Sequence, residues 1–449
     1  MRRPAFETGP LWRGFLVFLL PLLAQNILQS LSMTINSIMV GRILGVEALA
    51  SASVFFPVAF FFIAFLIGLS AGASVLIGQA FGAGKADLVK RITGTTLSVA
   101  ALGGVTIAVV GVIFVGEIMA LLGTPESIRP GATHYARISF LTMPVMFLFL
   151  TGSSLLRGVR DTLRPLMAQG LATVLAAGLT PLLIFNTGLG AASAAVAMGL
   201  AQGMAFIGLG FYLRATRHPM APDAALLRNL KPDGALLKTV LRIGLPTGVQ
   251  VVIGSLSGLV IIGLVNGFGF QATAAYGAVG QIQSYVQFPA LSIAIAASIF
   301  GAQMIGAGRA DRLGEVLRTA LMMNLILTGG LVALVYLFSR PVIGLFLTDA
   351  GVVETAQHLL HIVVWSSLMF GAGTIFSGIM RASGTVLVPM LIGVFCILAV
   401  ELPVAVVLSQ ILGLEGIWWG YVASFAALML LQAAYYLLVW RKKAVVALV

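Results

Sequence analysis

The chain has 449 residues, of which 59% are hydrophobic and 9% are charged, whereas a soluble domain usually carries roughly 25% charged residues. This composition excludes an ordinary soluble protein, and the single cysteine, Cys396, excludes an internal disulfide framework. The net charge of +12 lies in short clusters between long apolar runs, so it indicates membrane topology and not a nucleic-acid partner.

Twelve apolar runs are long enough to cross a hydrocarbon core, which requires about twenty residues per helix. The first run follows Arg2 and Arg3 and is too long for a secretory signal, so we interpret it as an uncleaved helix. The first six runs lie near residues 15–40, 52–80, 93–122, 135–157, 165–186 and 190–213. The second six lie near residues 239–267, 277–306, 318–347, 356–381, 386–411 and 415–440. The sequence predicts an all-α membrane protein with about 12 transmembrane helices.

The two series are related by an internal repeat with an offset of 224 or 225 residues. Gly82-Ala-Gly-Lys-Ala-Asp87 recurs as Gly306-Ala-Gly-Arg-Ala-Asp311, and Ser30-Leu-Ser32 recurs as Ser255-Leu-Ser257. Because each repeat holds an even number of helices, both halves enter the membrane the same way round and form pseudo-symmetric lobes. We expect an N-terminal six-helix lobe at 1–214, a cytoplasmic linker at 215–237 and a C-terminal six-helix lobe at 238–449.

The lysines and arginines predict the orientation, since cytoplasmic loops carry an excess of both. With the N-terminus inside, all but four of the 26 basic residues face the cytoplasm, and the exceptions are Arg42, Arg129, Arg137 and Arg340. We therefore expect a multi-pass protein of a bacterial inner (plasma) membrane, with both termini in the cytoplasm and the lipid bilayer as its surroundings.

No motif predicts an enzyme, a metal site or a cofactor. The stretch that ends at Lys85 lacks the first glycine of a phosphate-binding loop, and Ala86 replaces the Ser or Thr after its lysine. Glu354, His358 and His361 share a helical face, but an exposed helix start explains them better than a metal. Without a nucleotide motor, we expect an ion gradient, of H⁺ or Na⁺, to drive any transport.

Glu401 is the one carboxylate placed well inside an apolar helix, two residues before Pro403. A charge at mid-membrane costs roughly 2.5–3.5 kcal/mol on insertion scales, so such a group is by default a functional hypothesis. The alternative is structural: Glu401 lies near the outer interface, or donates to a backbone carbonyl that Pro403 leaves free. The sequence leaves both open and makes Glu401 the ion-coupling candidate.

Neutral polar side chains also lie inside the predicted helices. They line a substrate cavity, or they bridge neighbouring helices at about 0.6 kcal/mol each. The dense group in the eighth helix favours a cavity. The substrate-cavity candidates are Gln25, Gln29, Asn36, Thr180, Gln250, Tyr276, Gln281, Gln283, Tyr285 and Gln287.

Several motifs together resemble the multidrug and toxic compound extrusion (MATE) family. They are Asn36-Ser-Ile-Met-Val-Gly41, Leu122-Gly-Thr-Pro-Glu126, Leu156-Arg-Gly-Val-Arg-Asp161 and Ile243-Gly-Leu-Pro246. The resemblance covers nearly the whole chain. It implies two lobes that form a V open alternately to each side, and export of amphipathic, often cationic, small molecules in exchange for H⁺ or Na⁺. It implies no cofactor, and a monomer is expected.

The chain departs from the family pattern at the usual acids. Asn36, Thr180, Gly254 and Phe370 stand where the resemblance implies carboxylates, and Ala176 replaces a further polar residue. Gln29 matches a polar position of the family's N-terminal cavity. Glu401 is therefore the leading remaining candidate for coupling. The alternative function is a lipid-linked saccharide flippase of the same superfamily, which the absence of Lys or Arg from the middle of any predicted helix disfavours.

Overall fold

The computed structural model describes residues 10–449. Within them, twelve helices are long and apolar enough to cross a membrane, which confirms the predicted fold class. They are α1 Leu11–Leu44, α2 Val46–Gly82, α3 Ala86–Ile113, α4 Arg129–Gly158, α5 Leu163–Thr187, α6 Ala192–Ala215, α7 Gly234–Asn266, α8 Phe270–Gly306, α9 Ala310–Leu337, α10 Ala350–Ala382, α11 Leu387–Leu412 and α12 Leu414–Lys442.

Two spanning helices end about ten residues before the apolar runs that predicted them. Phe114, with φ −99° and ψ 16°, ends α3, and Phe338, with φ −117° and ψ 23°, ends α9. The chain then forms the short helices Val115–Leu121 and Ser339–Gly344. Both breaks occur at the same place in the repeat, 224 residues apart. The apolar composition continues through them, so hydropathy alone does not locate them.

The repeated glycine motif forms the same turn in both halves. Gly84, with φ 70°, separates α2 from α3, and Gly308, with φ 72°, separates α8 from α9. Side chains with a Cβ rarely adopt this left-handed conformation, so glycine is strongly favoured at both positions. The motif is therefore a structural turn that reverses the chain direction between two spans.

Two compact units make up the chain, and the prolines of α1 and α7 lie at their boundaries. One unit contains residues 20–81 and 85–245, and the other contains residues 10–19, 82–84 and 246–449. We call them the first and the second unit. In the first unit, Phe55, Phe140 and Phe147 are central to an apolar core. In the second, Trp418 packs in a larger core with residues of α8 and α10.

The segment between α6 and α7 folds onto the first unit through ion pairs. Lys90 of α3 pairs with Asp223, which also caps the short helix Ala224–Arg228 by accepting the Leu226 N–H at 2.9 Å. Arg91 pairs with Asp233 at 2.5 Å. The hydrogen bond from Lys90 and the bond from Leu226 lower the pKa of Asp223 below its usual value.

A second contact of this segment is formed by His218. Its Nε2 lies 3.4 Å from the carboxylate of Asp161, which also pairs with Arg164. Burial lowers the pKa of His218, although Asp161 acts in the opposite direction. The Nδ1 atom accepts the Met220 N–H at 3.2 Å. A neutral imidazole with its proton on Nε2 satisfies both contacts.

Candidate functional site

Glu401 is buried in the second unit, with 6% of its surface exposed. Its Oε1 accepts a hydrogen bond from the Ser257 hydroxyl of α7 at 2.6 Å, and the Ser424 hydroxyl of α12 also lies beside the carboxyl group. Within residues 10–449, no Lys, Arg or His forms an ion pair with it. A buried carboxyl group held by hydroxyls alone is suited to existing in both protonation states, because each hydroxyl can donate or accept.

The backbone around Glu401 is widened into a π-helical turn. The turn runs Cys396–Glu401 and is followed directly by α-helix at Leu402–Leu412. Pro403 explains the irregularity, since its ring conflicts with the carbonyl four residues before it and it offers no N–H. The Ser424 hydroxyl donates to the Cys396 carbonyl at 3.2 Å, satisfying an oxygen at the start of the turn. Such single-turn bulges occur frequently at functional sites.

Three aromatic side chains pack against one another near the carboxyl group. The Tyr276 and Tyr421 hydroxyls lie 3.0 Å apart. The Trp418 ring lies 5.2 Å from the Tyr276 ring and 5.7 Å from the Tyr421 ring, measured between centroids. Both tyrosines interact electrostatically with Glu401. The cluster joins α8 to α12 and gives the carboxyl group a neighbourhood that is mainly apolar, with hydroxyl groups at defined points.

The predicted residues of α8 fall on two faces. Gln283 is buried and Gln287 is half-buried against the unit. Gln281 and Ser284 are exposed, and 40% of Tyr285 is exposed. These residues continue an exposed stripe through Gly277 at helical spacing.

The composition of this exposed stripe distinguishes it from a surface that faces lipid. On the second half of α3, the large exposed side chains are apolar, such as Leu102, Val109 and Ile113. On α8 the exposed stripe consists of glycine, amides and hydroxyl-bearing side chains, whereas the exposed large apolar residues Phe270 and Leu291 lie outside it. Of the helix's apolar stretch, 83% is buried. Polar side chains in spanning helices usually face a bundle interior or a watery cavity.

In the first unit, the structure joins two of the predicted residues directly. The Thr180 hydroxyl of α5 donates to the Asn36 Oδ1 of α1 at 3.1 Å, so positions far apart in sequence meet. Gln29 is exposed. Gln25 is buried, and its Oε1 accepts no hydrogen bond within the described part of the chain.

Gln250, the repeat counterpart of Gln25, is half-buried in the second unit and lies against α11. Its amide occupies the space that a side chain at Gly393 would need. The two glutamines therefore have different surroundings although they occupy equivalent positions in the repeat.

The sequence did not predict that four of the residues around Glu401 belong to the site. They are Ser257, Trp418, Tyr421 and Ser424. Ser257 did carry a signal, since it closes the Ser-Leu-Ser motif that recurs in the repeat. The other three lie on α12, whose composition is that of an ordinary lipid-facing helix with scattered aromatic residues. Only the packing of α12 against α8 and α11 shows that they meet the carboxyl group.

Comparisons with known proteins agree on one family. The family model described as MatE matches residues 21–182 and 246–407, so it matches once in each repeat. A probable multidrug resistance protein, YoeA of Bacillus subtilis, is 44% identical over 98% of this chain and 96% of its own length.

A more distant relative and a solved structure extend this picture. An FAD transporter of Shewanella oneidensis is 28% identical over 83% of each chain. Among solved structures, a mutant of the Vibrio cholerae MATE transporter VcmN superposes with a TM-score of 0.88 at 22% identity, covering 97% of this chain and 98% of that one. At that identity the likeness concerns the fold.

Proposed function

Because the chain belongs to the MatE family of multidrug efflux transporters, we propose that it exports amphipathic, cationic small molecules in exchange for protons. Glu401 is the carboxyl group that carries the proton. The observation that carries this proposal is the burial of Glu401 among hydroxyls and aromatic rings without an ion pair among the described residues. Protein atoms enclose the carboxyl group, since only 6% of the residue is exposed.

The neighbours of Glu401 favour H⁺ over Na⁺. Hard cations in proteins are held by several converging oxygen ligands. Glu401 has the hydroxyls of Ser257 and Ser424 beside it, while the Cys396 carbonyl already accepts from Ser424. A proton needs only one carboxylate oxygen and a hydrogen-bond partner that can reverse its direction, and Ser257 provides that partner.

One proton per substrate is energetically sufficient. For one-for-one exchange against a monovalent cation no net charge moves, so each unit of pH difference supports a roughly tenfold substrate gradient. For an uncharged substrate, a membrane potential of 100 mV adds about 2.3 kcal/mol. This amount corresponds to roughly a further 45-fold gradient at 1.4 kcal/mol per tenfold.

The polar stripe of α8 is our proposed substrate-facing surface. Gln281 and Tyr285 offer an amide and an aromatic ring at exposed positions of an otherwise buried helix. Aromatic faces attract organic cations, and the absence of a cationic side chain from the stripe suits a cationic substrate. In the first unit, the exposed Gln29 and the half-buried Asn36 are the corresponding candidates, with the buried Thr180 hydroxyl donating to Asn36 from behind.

The predicted orientation, with both termini in the cytoplasm of a bacterial cell and the protein acting as a monomer, remains part of this proposal. It is supported by the loop arginines and lysines. In this orientation the contacts of Asp223, Asp233 and Asp161 lie on the cytoplasmic side.

The test is transport of a fluorescent cationic dye by proteoliposomes under an imposed pH gradient. We expect the wild type to concentrate the dye, Glu401→Gln to equilibrate it without concentrating it, and Glu415→Gln to behave as the wild type. Glu415 is the matched control because it is a half-exposed acid of the same unit, 3.1 Å from His358. Unchanged concentration by Glu401→Gln would contradict the coupling role.

Two further arms separate the alternatives. A Na⁺ gradient that drives the dye where a pH gradient does not would replace H⁺ by Na⁺ as the coupling ion. Transport of FAD or of a lipid-linked saccharide, with no cationic dye transported, would replace the substrate class. The flippase alternative has less support, because the exposed stripe of α8 carries no arginine or lysine to meet a pyrophosphate.

A further inference from the structure

Two neighbouring cavities of the first unit lie along one face of α4. The first, of about 550 Å³, lies at the start of the helix and is lined by Arg129, Thr133, His134, Arg137 and Glu126. The second, of about 400 Å³, is an apolar groove between α3 and α4. Thr133, Arg137 and Leu141 follow at intervals of four residues, so the lining of the first cavity continues into the groove on the same helix face.

The cationic end of this face is built from side chains with defined positions. The Arg129 guanidinium donates to the Thr124 carbonyl through Nε at 3.3 Å and Nη2 at 3.1 Å, which orients it at the rim. Arg137 is exposed two turns further along the helix. Glu126 is the one acid among the lining residues, so two permanent positive charges outweigh one negative charge. These two arginines are half of the four basic residues predicted on that side of the membrane.

The apolar groove has close helix contacts around it. A side chain at Gly104 would approach the Pro144 backbone to 2.6 Å, and one at Gly111 would collide with the Phe140 ring. Next to these contacts, Val109 and Ile113 of α3 and Leu141 of α4 are more than half exposed and line the groove. The groove is thus an apolar concavity open to the surroundings of the helices.

The distance along α4 between the charged cavity and the apolar groove matches the distance between the phosphate and the acyl chains of a phospholipid. Arg137 and Leu141 are four residues apart, which is about 6 Å along a helix. The headgroup and interfacial region adds about 5–8 Å to each side of the hydrocarbon core. An anionic phosphate at Arg137 and Arg129 would therefore place the first acyl carbons beside Leu141 and Ile113.

We propose that this face of α4 is a binding site for an anionic phospholipid, with its phosphate at Arg129 and Arg137 and an acyl chain in the groove between α3 and α4. The charge excess selects an anionic headgroup over a zwitterionic one. In the proposed orientation the lipid belongs to the outer leaflet. The site lies within the first unit, and it does not depend on the proposed role of Glu401 in the second.

The experiment uses the full chain with Leu141→Cys labelled by a fluorophore, since the native Cys396 is buried. Quenching by nitroxide-labelled phosphatidylglycerol is compared with quenching by nitroxide-labelled phosphatidylcholine in mixed vesicles. A basic residue near a membrane surface contributes about 1 kcal/mol toward an anionic lipid, or roughly a fivefold preference. Two arginines together support up to about 25-fold preference for phosphatidylglycerol, which Arg137→Gln should reduce about fivefold and Arg129→Gln with Arg137→Gln should abolish.

Arg42→Gln is the matched control, because it removes one exposed positive charge predicted on the same side but outside the cavity. It should leave the preference unchanged. Equal quenching by both lipids overturns the proposal, and so does an equal loss of preference in Arg42→Gln, which would indicate general surface charge. Displacement of the labelled lipid by millimolar glycerol phosphate would also overturn it, since a free phosphate would then occupy the cavity without using the groove. Arg137→Gln tests the charge without altering the Arg129–Thr124 contact.

Discussion

Each repeat has one polar pair between the same two helices. The pair of the second unit lies one helical turn away from the position equivalent to the pair of the first unit. In the second unit, Ser257 of α7 meets Glu401 of α11, and at an offset of 225 residues these positions are Ser32 and Ala176. In the first unit, Asn36 of α1 meets Thr180 of α5. Their counterparts, Ile261 and Ala405, are fully buried in an apolar cluster. The duplicated backbone brings the same two helices together in each half, and side-chain changes at successive turns give each half a different polar contact.

The backbone also differs at this point. Residues 396–401 form a π-helical turn, whereas the equivalent residues 171–176 lie in the regular helix Leu163–Thr187. A second π-helical turn, Asn324–Thr328, likewise has regular α3 helix as its counterpart. The widened turns of the described chain therefore belong to the second unit, which is where the carboxyl group lies. The second unit therefore differs from the first both in its buried carboxyl group and in its π-helical backbone.

The largest effect is expected from moving the carboxyl group between the repeats. Glu401→Gln combined with Ala176→Glu keeps a serine, Ser32, opposite the new acid. The regular α5 backbone and the absence of the aromatic cluster should still leave proton coupling lost. At one unit of pH difference, we expect the steady-state gradient of a monovalent cation to fall from roughly tenfold to none. Dye accumulation in proteoliposomes measures it, and a restored gradient would mean that the two positions are equivalent.

The next effect should come from the two equivalent serines. Hydrogen bonds to charged groups contribute about 1.5–3 kcal/mol, so Ser257→Ala should slow pH-driven transport by about tenfold or more. Ser32→Ala, which has no carboxyl group opposite, should leave the rate within twofold. Initial rates of dye uptake at matched protein levels decide this comparison, and Ser257→Thr should recover most of the rate because it keeps the hydroxyl. Equal rates for the two alanine variants would show that Ser257 is dispensable.

A smaller effect, on stability, is expected from the polar pair of the first unit. Asn36→Ala leaves the Thr180 hydroxyl buried without its partner, which costs about 1–3 kcal/mol. Replacing both residues by their counterparts, as Asn36→Ile with Thr180→Ala, should be nearly neutral, because no unsatisfied polar group remains. Thermal unfolding of the purified variants in detergent compares them. A double variant less stable than the single one would show that the apolar pair does not fit in the first unit.

The smallest effect is expected from the ion pair of Asp223. Its pKa is lowered in the folded chain, so its stabilising contribution is complete above the unfolded value near 3.8 and is lost as the pH falls through the folded value. The pair is partly exposed, and Asp223→Asn should cost well under about 1 kcal/mol at pH 7. The difference in melting temperature from the wild type should shrink with added salt. A salt-independent loss would point to the helix cap at Leu226.

The sequence determined the number of helices and the repeat, because both follow from apolar run length and direct residue matches. It also determined that Glu401 is exceptional, since a carboxylate in an apolar helix is conspicuous without coordinates. The sequence did not show where α3 and α9 end, because Phe114 and Phe338 are as apolar as the residues on both sides of them.

The surroundings of Glu401 are visible only once the helices are packed together. Its partners Ser257, Tyr276 and Tyr421 lie on three other helices, and helix pairing depends on side-chain packing that no local pattern records. The same holds for Asn36 and Thr180, which are separated by 144 residues. Likewise, the sequence marks Arg129 and Arg137 as unusual charges, but the groove beside them exists only because α3 and α4 pack closely at Gly104 and Gly111.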